Sequence, residues 1–268
     1  MSEFKIAKKG NIEIGYFPAL EQYGVVHGFT LRGHGDSDIV PRTLNMALHV
    51  GDNPTKVLQN RVQVAKALGF KLERTTTCAQ VHGNKVVVVT PELIGAGALD
   101  FSNTIQATDG LVTAETDAPL MLFFADCVPV MLIDSKSKAF ALVHAGWRGA
   151  VSNIGVNALK IMQEQYGTKA ENVIAAIGPS IGPCCYEVDE AVYNKVPAYA
   201  DCFVPTGVKR WHLDLWQVNR LQLERLGVLS EHILESGYCT QHHVDKFFSY
   251  REECGRTGRM AAVILRRC

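Results

Sequence analysis

The stretch Pro119–Val143, PLMLFFADCVPVMLIDSKSKAFALV, decides how this chain folds. It holds three apolar runs, Pro119 to Phe124, Val128 to Ile133 and Ala139 to Val143, parted by short polar breaks that include Asp126-Cys127 and Asp134-Ser135-Lys136. Runs this short match strands better than helices, and their lack of polar alternation predicts strands buried on both faces. Working outward, Val173 to Ile177 reads as another buried strand, and Phe247 to Tyr250 and Met260 to Leu265 as closing strands. Thr75 to Val81 and Lys85 to Thr90 read as two strands around the turn-like His82-Gly83-Asn84.

Helices are marked by their ends. Asn53-Pro54 is a cap followed by proline in the first turn, Val57, Leu58, Val62, Ala65 and Leu68 follow at helical spacing, and Gly69 closes the segment. Ser152 is placed to cap a helix carrying Ile154, Ala158, Ile161, Met162 and Tyr166, and Leu215 to Leu226 reads as a third helix. Strands and helices mix without strict alternation. The expected fold class is therefore α+β: a single domain over residues 1–268, with mixed β-sheets covered by helices.

Composition excludes several functions. Lys plus Arg equals Asp plus Glu at 27 each, so the basic stripe of a nucleic-acid binder and the cationic face of a membrane-recruited protein are not expected. The longest apolar candidate, Ala118 to Ile133, is interrupted by Asp126 and falls short of the ~18 residues of a membrane span. Met1-Ser2-Glu3-Phe4-Lys5 lacks the apolar segment of a secretory signal, and the expected location is cytoplasmic. The eight cysteines, Cys78, Cys127, Cys184, Cys185, Cys202, Cys239, Cys254 and Cys268, form no regular framework and are expected to be mostly thiols. With no Cys-x-x-Cys pair, a closed zinc knuckle is not expected, and the vicinal Cys184 and Cys185 read as packing residues.

His82, Cys127 and His144 stand out. Each lies in a polar or glycine-rich break beside a strand-like run. Two imidazoles and one thiolate suit Zn²⁺, and three protein ligands leave a fourth position for chemistry. Each residue alone is as well explained by a structural role; three in similar settings point to a site. Asp126 reads as a buried second layer to the ligands or as a turn residue. Arg148, in Trp147-Arg148-Gly149, is a candidate to hold an oxyanion, or else a surface cation stacked on Trp147. Gly178-Pro179-Ser180-Ile181-Gly182-Pro183 reads as a rigid loop whose backbone approaches a ligand, although it lacks the ending of a P-loop. Arg32 lies in a flexible, polar stretch, Gly28–Gly35, and Asn45 and His49 lie in an apolar setting, Leu44–Gly51, where either could line a pocket but hydrogen-bonded structural roles are the default. The cations of Phe248–Arg251 and Arg256–Arg259 rank as solvated charge.

Gln-Val-His-Gly at 80–83, Thr-Asp-Gly-Leu-Val-Thr at 108–113, Ala-Asp-Cys-Val-Pro-Val at 125–130, His-Ala-Gly-Trp-Arg-Gly at 144–149, Gly-Pro-Ser-Ile-Gly-Pro-Cys-Cys-Tyr-Glu-Val at 178–188 and Thr-Gly-Arg at 257–259 together closely resemble the multicopper polyphenol oxidase-like (laccase-domain) family. The resemblance runs from Gly28 to Arg259. One departure is Arg32-Gly33-His34-Gly35, where the family commonly has Arg-x-Gly-Gly.

The resemblance implies a layered α/β/β/α catalytic domain like that of Cys-His hydrolases. It implies zinc on His82, Cys127 and His144, with Cu²⁺ able to replace it in vitro. The implied activity is phosphorolysis of adenosine, inosine, guanosine and S-methyl-5′-thioadenosine, together with adenosine deamination. Catalytic roles then fall to Cys127, Asp126 and Arg148, and substrate contacts to Arg32, Asn45, Arg148 and Gly178. Purine nucleosides and phosphate are the expected partners of an expected monomer. Two alternatives stay open. One is a Cys-His hydrolase editing peptidoglycan precursors, with Cys127 as nucleophile. The other is a copper-dependent polyphenol oxidase, which the nine histidines and the absence of any His-x-His unit disfavour.

Overall fold

The computed structural model describes residues 3–267; Met1, Ser2 and Cys268, on which part of the N-terminal and cysteine readings fell, lie outside the described residues. In chain order the elements are β1 (Lys5–Lys9), β2 (Ile12–Tyr16), β3 (Val25–Thr30), α1 (Pro54–Leu68), β4 (Val86–Val88), β5 (Gly110–Thr113), β6 (Leu120–Phe124), β7 (Val128–Asp134), β8 (Phe140–Ala145), α2 (Trp147–Val151) and α3 (Ile154–Tyr166). There follow β9 (Val173–Ile177), β10 (Glu187–Asp189), α4 (Glu190–Tyr193), β11 (Phe203–Gly207), β12 (Arg210–Leu213), α5 (Leu215–Arg225), β13 (Ile233–Glu235) and β14 (Met260–Arg266), with short 3₁₀ turns between.

Two sheets stack face to face. One has the order β1-β2-β3-β14-β6 and is antiparallel throughout; the other, β13-β9-β7-β8-β5-β4, is mixed, with β13 and β4 parallel to their neighbours. A small third sheet joins β10, β12 and β11. Side-chain alternation explains the layering. In β6, Leu120, Leu122 and Phe124 enter the core between the sheets, while Met121 and Phe123 face α1 on the outside. In β7, Met131 and Ile133 enter the same core, while Val128, Val130 and Leu132 face α3 and α5. Both faces of each strand are thus covered, which is why the deciding stretch carries no polar alternation. The result is a single-domain α+β fold in four layers, helix, sheet, sheet, helix.

Some expectations shift. Thr75 to Val81 is not a regular strand: it contributes only the isolated bridges Thr76↔Leu120 and Cys78↔Ile105. Phe247 to Tyr250 is an irregular segment between two turns rather than a strand. The helix at 54–68 has the expected ends, with Asn53 accepting from the Thr55 N–H and Gly69 left-handed at the C-cap. Its buried face includes Asn60 and Arg61 and leaves Val62 outside. Arg61 donates there from Nε to the Met46 carbonyl and from Nη1 to the carbonyls of Gly97 and Ala98, so periodicity in apolar residues alone misjudged the face. Ser152 closes α2 instead of opening α3, whose N-cap is Asn153.

Candidate functional site

Asp126 and Cys127 lie where the chain crosses from β6 in one sheet to β7 in the other. Along β8 the alternation that sends Phe140 and Leu142 between the sheets carries His144 to the open end of the same layer, against Phe124. His82 reaches the same point from the turn before β4. The ligand atoms of His82, Cys127 and His144 all lie within 4.8 Å of one another, and the two imidazoles meet edge to face.

The residue that organises this cluster is Asp109, at the entry to β5. Its carboxylate is fully buried, accepts His144 Nδ1 at 2.9 Å, and accepts the backbone N–H groups of Val81, His82 and Gly83 at 3.1, 2.9 and 2.8 Å. One side chain therefore orients one imidazole and pins the turn that presents the other. With Nδ1 engaged, Nε2 is the nitrogen of His144 left to act as a ligand or a base. His82 sits at φ 60° and Asp126 at φ 83°, a left-handed backbone that non-glycine residues hold only when their surroundings impose it. Asp109 imposes the first. The second is held by Thr240 Oγ1 on Asp126 Oδ1 at 2.7 Å, the Arg251 N–H on Oδ2 at 2.7 Å, and the Ile181 N–H on the Asp126 carbonyl at 2.9 Å.

The electrostatics are strongly coupled. Burial opposes ionisation of the Cys127 thiol, but the charges and hydrogen bonds of His144 and His82 outweigh it and bring the thiol down to about 6. Burial opposes charge on His144 as well, and the thiolate and Asp109 overcome this, raising it to about 9. Burial would raise the Asp109 carboxyl, yet its hydrogen bonds from His144, Gly83 and Val81 hold it below the usual range. Gly146 follows β8 with an ordinary φ of −63°, but a Cβ there would lie 2.9 Å from Cys127 Sγ and 3.3 Å from His82 Cδ2. The glycine is required by close approach, not by conformation.

Around the cluster opens a cleft of about 530 Å³, within the usual range for a small-molecule site. Three arginines line it, each stacked on an aromatic ring of the same wall: Arg148 on Trp147 at 4.5 Å, Arg251 on Tyr186 at 5.4 Å and Arg259 on Tyr250 at 5.5 Å. Phe123 and His49 add further rings. Burial, then the charges of Arg259, Arg61 and His144, push His49 down to about 4, so it stays neutral near pH 7.

The candidate residues named from sequence divide clearly by location. His82, Cys127, His144, Asp126 and Arg148 line the cleft; Arg32, Asn45 and Gly178 do not. Arg32 binds Glu253 at 2.9 Å and the Val244 carbonyl at 2.6 Å, tying down the segment that carries Tyr250 and Arg251. Asn45 accepts the Arg259 N–H at 2.9 Å. Gly178 packs under Phe29, whose ring lies 2.2 Å from where a Cβ would be. Asp109, Arg251 and Arg259 escaped selection: Asp109 sits inside a motif quoted for its resemblance, and the two arginines lie in cationic segments that read as solvated charge.

Fold and site together define a class: a four-layer α+β domain with one three-donor His/Cys/His centre in an arginine-lined cleft. The chain belongs to the multi-copper polyphenol oxidoreductase laccase family, which it matches over residues 26–267. It is 41% identical over 249 residues to a Geobacillus stearothermophilus protein named purine nucleoside phosphorylase YlmD, covering 91% of each chain. It is 38% identical over 244 residues to the Bacillus subtilis protein of the same name, covering 90% of this chain and 88% of the other. The crystal structure of YlmD from Geobacillus stearothermophilus superposes with a TM-score of 0.94 over 100% of both chains at 37% identity. No helix among the described residues is long and apolar enough to cross a membrane.

Proposed function

We propose that this chain is a zinc-dependent purine nucleoside phosphorylase acting on adenosine, inosine, guanosine and S-methyl-5′-thioadenosine, with adenosine deaminase activity. The observation that carries the reading is the placement of three arginine–aromatic pairs around the His82, Cys127 and His144 cluster in one cleft. Phosphate needs cations with a planar fork, and a purine needs flat rings to stack on. The names of the curated relatives agree with this chemistry.

The donor set fits zinc: two imidazoles and a low-lying thiol, close enough to share one ion, with the Nδ1 of one ligand fixed by a carboxylate. When bound, the ion supplies Lewis acidity at the floor of the cleft. In phosphorolysis, a phosphate oxygen forms a bond to C1′ of the ribose as the C1′–N9 bond breaks and its electron pair leaves with the purine. Arg148, Arg251 and Arg259 hold the phosphate and orient it toward C1′. Trp147, Tyr186, Tyr250 and Phe123 stack the base and exclude water. Asp126 serves as a positioning residue, since its carboxylate holds the Arg251 backbone and Thr240. Arg32 and Asn45 position the same wall from behind. Deamination in the same cleft would form a bond from a water oxygen to C6 of adenine as the C6–N bond breaks and ammonia leaves, with the proton lost by water passing to the departing nitrogen.

A second reading is favoured by one specific geometry. Cys127, His144 and Asp109 line up as nucleophile, base and orienting carboxylate, the arrangement of a cysteine hydrolase. This is the reading in which peptidoglycan precursors are the substrate.

The test is phosphate-dependent release of free base from adenosine and inosine by metal-quantified protein, beside Cys127→Ala. Release that requires phosphate, stops with chelator and disappears in the variant supports the phosphorylase. Zinc-loaded protein that releases no base sinks it. Hydrolysis that survives chelator and stops on thiol alkylation moves the hydrolase first. Ammonia release from adenosine checks the deaminase.

A further inference from the structure

We propose that Cys184, Cys185, Cys239 and His242 form a second metal site, closed and structural, that takes one zinc ion. Their four ligand atoms lie within 4.8 Å of one another, although the residues come from segments more than fifty positions apart in the chain. Three thiolates and one imidazole are a standard donor set for structural zinc, and Cys239-Thr240-Gln241-His242 has the short spacing of such ligands. Around tetrahedral zinc the sulfurs stand about 3.8 Å apart, so closing the cluster requires only small side-chain movement. All four coordination positions are filled by protein. That separates this site from the three-donor cluster in the cleft, which keeps one position open.

The backbone is built to hold this geometry. Ser180 and Cys239 form a parallel bridge, with the Ser180 N–H on the Tyr238 carbonyl at 3.2 Å and the Thr240 N–H on the Ser180 carbonyl at 3.0 Å. The Gly182 N–H donates to Cys239 Sγ at 3.2 Å, which ties this sulfur to the loop that carries Cys184 and Cys185. Cys184, Cys185 and Cys239 hydrogen-bond among themselves, so the three sulfurs already face one another. Cys239 is buried, whereas Cys184 and His242 are exposed, which leaves a route for the ion to enter.

The placement gives the site a purpose. The 178–186 loop carries Ile181 and Tyr186 into the cleft wall, and Thr240 hydrogen-bonds Asp126 beside Cys127. An ion joining Cys184 and Cys185 to Cys239 and His242 clamps these two segments together and steadies the left-handed turn that presents Cys127.

The experiment uses the full chain, reduced, stripped of metal and equilibrated with Zn²⁺ alone, with metal counted by mass spectrometry. Wild type is expected to hold two zinc ions and Cys184→Ser/Cys185→Ser one, retained by the cleft cluster. Cobalt supplies a second readout. Co²⁺-loaded Cys127→Ser is expected to keep the intense thiolate-to-metal absorption of a three-sulfur site, and to lose it when Cys184→Ser is added. The proposal is overturned if Cys127→Ser binds no metal, if wild type and the double variant hold equal zinc, or if two of these cysteines form a disulfide that persists with zinc and reductant present. Each readout is independent of turnover, so failure of the phosphorylase reading leaves this result standing.

Discussion

Asp109→Asn isolates the group on which the cleft depends. The carboxylate accepts four hydrogen bonds in the wild-type chain. An amide of the same shape can keep its oxygen toward His144 Nδ1 and the His82 N–H, but its NH₂ then opposes the N–H groups of Val81 and Gly83. Two donors lose their acceptor, at the lower end of about 1–3 kcal/mol each because that turn is partly exposed, giving a loss of roughly 2 kcal/mol. For a chain of this size that lowers Tm by roughly 4–8 °C. On the proposed zinc site, loss of the negative partner is also expected to weaken His144 as a ligand, since substitutions behind a metal-binding histidine cost about 10–100-fold in affinity or activity. Zinc affinity by competition with a chromophoric chelator, Tm, and phosphate-dependent turnover read the three effects. Unchanged zinc affinity and turnover in a variant whose Tm has fallen would refute the reasoning, because Asp109 would then support only the turn.

Gly146→Ala is expected to fold with Tm close to wild type, since the backbone there is ordinary, and to lose most turnover because the new Cβ displaces Cys127 and His82; full activity would show that the cluster tolerates the displacement. Arg251→Gln removes a guanidinium from the cleft wall and, on the proposed function, is expected to raise the KM for phosphate about 10–100-fold, from about 1.5–3 kcal/mol per charged hydrogen bond, with a smaller change for nucleoside; equal changes for both would place Arg251 outside the phosphate site. His27 offers a pH test away from the cleft. It accepts the Phe17 N–H at 2.9 Å, and burial, then Lys9, lower it from 6.5 to about 4. The unfolded chain therefore binds this proton first, so the stability contributed by neutral His27 is complete above pH 6.5 and is lost as pH falls through about 4, by roughly 3 kcal/mol in all. Denaturant unfolding between pH 7 and 4 is expected to show a flatter decline in His27→Gln than in wild type, and parallel curves would remove His27 as a cause.

The buried strands β6 to β9 and β14, the ends of α1 and the α+β class could be read from the chain, because local signals write them: short apolar runs, an Asn-Pro start and a glycine stop; the equally buried β3 and β5 were not read as strands. His82, Cys127 and His144 were legible as well, since each interrupts a strand-like run with a residue of distinct chemistry. Asp109, Arg251 and Arg259 were not singled out. Their roles depend on what lies opposite them, and an arginine in a polar segment looks the same whether it faces water or a cleft. The same limit applies to Cys184, Cys185, Cys239 and His242: the vicinal thiols read as packing residues, and nothing along the chain joins them to Cys239 and His242, which are brought close where the Ser180 and Cys239 backbones pair.

The sequence by itself determined which segments are buried, the fold class and the chemistry of the three central donors, because these follow from apolar patterning and residue type. The tertiary structure alone decided which carboxylate serves the cluster, which arginines face the cleft and which thiols meet. These are contacts between segments distant in the chain, and only the stacking of the two sheets and the loops at their open end brings them within bonding distance.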